Sequence, residues 1–416
     1  MRNRLTTALV LSGGGARAAY QVGVLRALAR MQAECTPATV PALRAQEAPF
    51  GIVVGTSAGA INSAAVACRA DAFGDAVADL AQVWGNFHAD QVYEADAWGV
   101  IRSGAHWITA LSAGWAFARW RKLKPRSLLD NTPLASLLRE LVPMERLPTM
   151  FARKHLGALA VTASSYSNGQ HMTFYSSATP IEPWVRPQRQ AVPGFLSHDH
   201  LLASSAIPFI FPARRLTHAG ATTWFGDGSM RQTAPLSPAM HLGADRLLVV
   251  GAGRAQEAPA EQLPERRYPS MAQIAGHAMA SVFLDTLAVD IERLERVNRV
   301  LSLMSPAARA ETPWKTVRCL VVSPSQRIDD IAARHLEALP RPVRALLGGI
   351  GVARQGARTQ GAALASYLLF EAPFTQELMA LGEADAQARR QEILDFMDWS
   401  VVQDADHCAV PPGSCA

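Results

Sequence analysis

The chain has 416 residues, 49% of them apolar and 18% charged, which excludes a disordered protein and allows one large domain or two ordinary ones. Forty basic residues against 35 acidic leave a net charge of +5, and all but four of the basic ones (Lys122, Lys124, Lys154, Lys315) are arginine. With no long basic block and no nucleic-acid motif, nucleic acid is excluded as a partner; what remains is an arginine-biased composition or a basic surface that meets anionic lipid. Five cysteines, at positions 35, 68, 319, 408 and 415, form no CxxC pair and show no metal-ligand spacing. An odd, sparse set suggests a reducing compartment, with Cys408 and Cys415 read as free thiols in a tail.

The first residues, "MRNRLTTALVLSGGGARA", loosely imitate a secretory leader, but the apolar run is short and glycines break it. "TTALVLS" (6–12) is therefore predicted as a buried strand, followed by three glycines and a helix over "AAYQVGVLRALARM" (18–31). "FGIVV" (50–54) predicts the next strand and "AGAINSAAVACRA" (58–70) the next helix. The uncharged run 50–68 superficially suits a membrane span, but its glycines, Thr, Ser and Asn fit strand–turn–helix better. This alternation predicts an α/β sheet with parallel neighbours and right-handed crossovers. Further strands are predicted at 158–166, 171–177, 222–228, 245–253 and 317–325. The polar, proline-bearing stretch 254–270 reads as a linker or surface loop, and long helical patterns occupy 271–304 and 354–402. A strand at 317–325 predicts that the C-terminal third returns to the same sheet.

Between the second strand and its helix stands Gly55-Thr56-Ser57-Ala58-Gly59, a G-x-S-x-G in the strand–turn–helix setting that motif requires. A sharp corner there projects the serine oxygen, Gly55 and Gly59 let strand and helix approach, and the helix N-terminus favours a developing oxyanion. The plainer reading is a serine that merely caps the helix. A nucleophile also needs donors for the oxyanion. "SGGGAR" (12–17) offers the backbone N–H groups of Gly13, Gly14 and Gly15. The same letters fit the dinucleotide fingerprint from Gly13 to Ala18, but no strand ending in an acid follows at the required distance; the nearest acid is Glu34.

The base is sought next. "WFGDGSM" sets Asp227 at the end of an apolar strand, before Gly228. There it could reach a serine on a neighbouring strand, or simply serve an Asx turn. Of the eleven histidines, a Ser…Asp…His order leaves 241, 277, 335 and 407, none in a convincing loop, so a Ser–Asp dyad is the simpler reading.

Taken in order, "GGGAR", "GTSAG" and "GDG", together with "DNTPL" (130–134) and "ASSAIPFIFPAR" (203–214), strongly resemble the patatin-like phospholipase family over roughly residues 5 to 253. The resemblance implies an α/β class, a three-layer α/β/α fold with a central, mostly parallel sheet, and a patatin-like catalytic domain over 5–253. A mainly helical C-terminal region, 254–416, is expected to pack on the same core. It implies lipid acyl hydrolysis through an acyl-serine, with Ser57 as nucleophile, Asp227 as base, Gly13, Gly14 and Gly15 lining the oxyanion hole and Arg17 supporting that loop. No metal and no cofactor are implied. Two positions depart from the family's habit: Ala18 stands where glycine is frequent, and Ser229 where glycine or alanine is usual.

Residues 84–126 hold five of the nine tryptophans beside Arg119, Arg121, Lys122, Lys124 and Arg126. Aromatic rings with cations suit a membrane-docking element or a lid; a flap packed on the core is the alternative. "AIPFIFP" (206–212) is expected to wall an acyl pocket. The expected partner is a lipid or membrane-surface substrate, with oligomeric state open. The expected location is cytoplasmic, either free or peripheral at the inner face of the membrane. A non-catalytic lipid- or ligand-binding protein on the same fold is the competing reading.

Overall fold

The computed structural model describes residues 6–35, 48–94, 127–253, 268–355 and 358–399. Most of the tryptophan- and arginine-bearing segment (95–126), most of the expected linker (254–267), His407, Cys408 and Cys415 lie outside the described residues.

The first half of the chain alternates as β1 (Thr7–Leu11), α1 (Ala19–Cys35), β2 (Ile52–Thr56), α2 (Ala58–Ala67), α3 (Phe73–Gly85), α4 (Thr132–Leu141) and β3 (Ala158–Ser165). Then follow β4 (His171–Ser177), β5 (Val185–Arg186), β6 (Arg189–Pro193), α5 (His198–Ser204), β7 (Arg214–His218), β8 (Ala221–Asp227) and β9 (Arg246–Val250). The remainder contributes α6 (Met271–Ala280), α7 (Thr286–Leu303), β10 (Arg318–Val322), α8 (Ile328–His335), α9 (Ala362–Ser366), α10 (Ala372–Ala388) and α11 (Arg390–Met397).

Five strands in the order β10-β9-β1-β2-β3 are parallel throughout. β3 then takes an antiparallel partner on its far side, β4, which continues to β6 and β5. The end of β3 also pairs with β8, Ala163 opposite Asp227, and β8 carries β7. The parallel strands are apolar on both faces because both are covered. Leu9, Leu11, Val53, Val161 and Leu248 point into one core with α1, α3 and α10. Ala8, Val10, Val54, Ala160 and Leu247 point into the other, with Leu236, Ala239 and Leu294 of α7. The period-2 alternation of strand side chains thus produces a three-layer α/β/α molecule.

As expected, the C-terminal third rejoins the sheet: β10 pairs in parallel with β9, Leu320 opposite Leu248. α10 crosses α1 at backbone contact; a Cβ on Gly23 would lie 2.0 Å from the Met379 carbonyl oxygen, and one on Gly382 2.1 Å from that of Tyr20. The expected single helical stretch over 354–402 is corrected. Gly361 turns the chain left-handed at the start of α9, and "LLFEAP" breaks it again before α10, where Pro373 can occupy only a first turn. A short ribbon, Ala353–Gln355 with Arg358–Gln360, stands where that helix was expected to begin. α6 and α7 are joined by one wide π turn, Ser281–Asp285, into a rod from Met271 to Leu303. This rod is long and apolar enough by composition to cross a bilayer, with a mean hydropathy of 1.4 in its most apolar stretch, 19% of which is buried.

Candidate active site

β2 runs to Thr56, two residues beyond the expected end, so Ser57 stands on the corner itself. Its backbone is held at φ 56°, ψ −131°, a left-handed conformation that costs a non-glycine residue about 1–3 kcal/mol. The surroundings enforce it. A Cβ on Gly59 would lie 2.4 Å from the Ser12 carbonyl oxygen, and one on Gly55 2.5 Å from Ala60 Cα, so two bare backbones are needed to seat α2 against β1 and β2. The Ser57 N–H is taken by Ser204 Oγ at 2.8 Å, from the end of α5. Beneath the corner, Thr56 Oγ1 lies 2.8 Å from Thr162 Oγ1 and accepts from Gln232 Nε2 at 2.8 Å.

The Ser57 hydroxyl donates to Asp227 Oδ2 at 2.6 Å. The sheet makes this meeting possible. β3 lies between β2, whose end carries Ser57, and β8, whose last residue is Asp227. The other carboxylate oxygen, Oδ1, accepts from Ser229 N–H at 2.8 Å, and the Asp227 and Gly228 N–H groups are bound by the carbonyls of Ala206 and Ser204. Gly228 has no room for a side chain, since a Cβ would meet the Thr162 oxygen at 2.3 Å. Asp227 is fully buried, and that burial pushes its carboxyl up to about 6, with hydrogen bonds from Ser57 and Ser229 pulling the other way.

The glycine loop follows β1. Gly13 is opposite Ser57: a Cβ there would come within 3.1 Å of Ser57 Cβ and 2.2 Å of Ser229 Oγ. The small family departure at Ser229 thus occupies space that only glycine at position 13 leaves open. Gly15 adopts φ 55°, a turn that glycine takes without strain. Among the described residues, no protein group accepts from the N–H of Gly13, Gly14 or Gly15. Ala18 sits in an ordinary right-handed turn, so its replacement of glycine costs nothing there. Arg17 is buried and faces the C-terminal helices, making no contact with Ser57.

Beside Ser57 opens an apolar pocket; Ile61, Trp84, Leu138, Ile207, Phe211 and Phe370 form much of the wall. Ile207 and Phe211 belong to the segment expected to line such a pocket. Trp84, the described tryptophan of the 84–126 stretch, lies here, its Nε1 donating to Asn62 Oδ1 at 3.0 Å.

Of the histidines with the required order in the chain, the three that are described lie elsewhere. His241 stacks on Trp184, His277 is exposed, and His335 binds Glu377. Sequence reasoning missed His171, which is fully buried with Nε2 3.0 Å from the Gly228 carbonyl oxygen. Burial pushes it down to about 4, so it is neutral at ordinary pH and donates from Nε2 to that carbonyl. Its only sequence signal is the start of an apolar strand. Among the described residues, no group of three or more His, Cys, Asp or Glu is placed to hold a metal ion.

A serine on a strained strand–helix corner, a carboxylate on its hydroxyl, a glycine loop that brings Gly13 against the serine and an apolar pocket alongside define an arrangement suited to acyl transfer on an α/β/α fold. The family model for patatin-like phospholipases matches residues 9–240, more than half of the chain, and the chain belongs to that family. Its members are lipid acyl hydrolases. Among solved structures, the chain is similar to VipD from Legionella pneumophila at 13% identity, over 90% of this chain and 67% of that one, with a TM-score of 0.27. No curated protein matches.

Proposed function

We propose that the protein is a serine lipid acyl hydrolase of phospholipase A or lysophospholipase type, working through an acyl-serine with Ser57 as nucleophile and Asp227 as base. The observation that carries this reading is the 2.6 Å hydrogen bond from Ser57 Oγ to Asp227 Oδ2 beside an apolar pocket. An ester seats its acyl chain among Ile61, Leu138 and Ile207. Asp227 takes the hydroxyl proton as Ser57 Oγ attacks the carbonyl carbon, and the oxyanion forms against the glycine loop. The tetrahedral species collapses by breaking the bond to the alkoxy oxygen, which leaves with the proton from Asp227. Water then attacks the acyl-serine, losing a proton to the same carboxylate; the bond to Ser57 Oγ breaks, that oxygen takes the proton back from Asp227, and the fatty acid leaves. The chemistry calls for no metal or cofactor.

The test is hydrolysis of p-nitrophenyl acyl esters and of phosphatidylcholine vesicles by wild type and Ser57→Ala. Turnover should fall by at least about 10³-fold in the variant, as expected when a covalent nucleophile is removed. Equal rates in the two would remove Ser57 from the mechanism. Lipid binding without turnover in wild type would favour a binding protein that keeps the fold.

A further inference from the structure

Arg17 ends the glycine loop, and every partner of its guanidinium comes from the far end of the chain. Nε donates to Ser366 Oγ at 2.7 Å, and Nη2 donates to Asp329 Oδ1 at 2.6 Å and to the Ala363 carbonyl at 3.2 Å. The guanidinium also lies over the Tyr367 ring, 4.2 Å from its centroid. The loop backbone is gripped by the same turn: the Ala16 N–H donates to the Tyr367 carbonyl oxygen at 3.1 Å. That oxygen is so close to Gly15 that a Cβ there would approach it to 2.4 Å. Three consecutive loop residues are therefore seated on α9 and its end, with α8 supplying the carboxylate. All of these partners lie outside residues 9–240, the part that the family model matches.

We infer that Asp329 and Ser366 are positioning residues for hydrolysis: through Arg17 they hold the glycine loop with its N–H groups turned toward Ser57. The C-terminal region thereby becomes part of the catalytic apparatus. This rests on the acyl hydrolase reading above. Arg17 is only 3% exposed, and a buried guanidinium tolerates no unpaired state, so losing a partner moves the loop to find another. Ser366 relays the hold, since its hydroxyl donates to the Ala363 carbonyl at 2.6 Å and so presents a lone pair to Arg17 Nε. Preorganised donors lose their effect when displaced; a shift of about 1 Å costs about 10²-fold in rate.

Full-length Asp329→Ala, Asp329→Asn and Ser366→Ala would be compared with wild type and Ser57→Ala. The measurements are kcat and KM on a p-nitrophenyl ester, the rate of Ser57 labelling by a fluorophosphonate, and thermal unfolding. Asp329→Ala and Ser366→Ala should lower kcat and labelling about 10-fold or more, with KM within about twofold, as expected for an effect confined to the transition state. Asp329→Asn, which keeps an acceptor for Arg17, should recover most of the loss. A purely structural role would instead lower Tm and leave the kcat of the folded protein unchanged. Unaltered kcat in Ser366→Ala, which removes a single oxygen and should fold even if Asp329→Ala does not, would overturn the inference. Wild-type turnover that survives Ser57→Ala would sink the hydrolase reading first, and this one with it.

Discussion

Asp227 is a carboxylate buried with no cation among its hydrogen-bond partners, a placement that costs stability and confers basicity. With its carboxyl at about 6 rather than near 4, it is ionised at neutral pH yet a far better proton acceptor than a solvated aspartate. If Asp227 is the base, as proposed, activity requires its deprotonated form, so kcat/KM should rise with pH through about 6 and level off above it. His171 adds no second limb there, since it stays neutral down to about 4. The stability effect has the opposite sense. The folded value lies above the unfolded one, so the folded chain holds the extra proton between about pH 4 and 6, and this group's contribution is lost as pH rises through that window. At pH 8 the penalty is of order 3 kcal/mol. Asp227→Asn, which removes the buried charge, should therefore abolish turnover while raising Tm at pH 8; a lowered Tm would contradict this account. The pairing of Ser57 with Asp227 was legible in the sequence because each sits in a short glycine-flanked motif at a strand end. His171 was not, since a histidine at the start of a strand looks the same whether it faces water or supports the Gly228 carbonyl.

At the scale of elements, what could be read depended on burial. β1, β3, β4 and β9 were legible because strands covered on both faces, or pleated against a core, write continuous or alternating apolar runs. β5, β6 and β7 carry exposed arginines and polar residues at the antiparallel side of the sheet, and nothing in their composition separates them from loops. α2 follows a corner whose position the motif marked to the residue. It also supplies Ile61 to the apolar pocket, one turn beyond Ser57. Ile61→Trp should shorten the pocket without touching the dyad. Octanoyl and longer esters should lose about 10-fold or more in kcat/KM while acetyl esters keep theirs, the usual reach of a hydrophobic-pocket contact. A uniform loss across acyl lengths would place the chain elsewhere.

The whole molecule places its most sequence-distant parts side by side. β1, at the centre of the parallel sheet, pairs with β9, and β9 with β10. A chain ending at residue 253 would contain all the motifs of the family but would leave β9, fully buried as Arg-Leu-Leu-Val-Val, as a bare apolar edge. It would also strip α10 from α1. Such an edge invites pairing between chains. The truncated protein should accumulate as aggregate and, in any soluble fraction, label poorly at Ser57; a monomeric, fully active fragment would refute this. The partners of Arg17 were illegible for the same reason: nothing local in "GGGAR" announces Asp329 or Ser366, more than 300 residues away.

That long reach has a consequence in time. Ser57 and Asp227 leave the ribosome well before β10, α8 and α9 exist, and contacts between distant segments form late. With Arg17 waiting for Ser366, the glycine loop lacks its seat until residue 366 has been synthesised and has folded back. A nascent chain that has not yet released residue 366 would thus carry the serine and the carboxylate without the seat of the glycine loop, and its hydrolysis would stay low until that segment folds back.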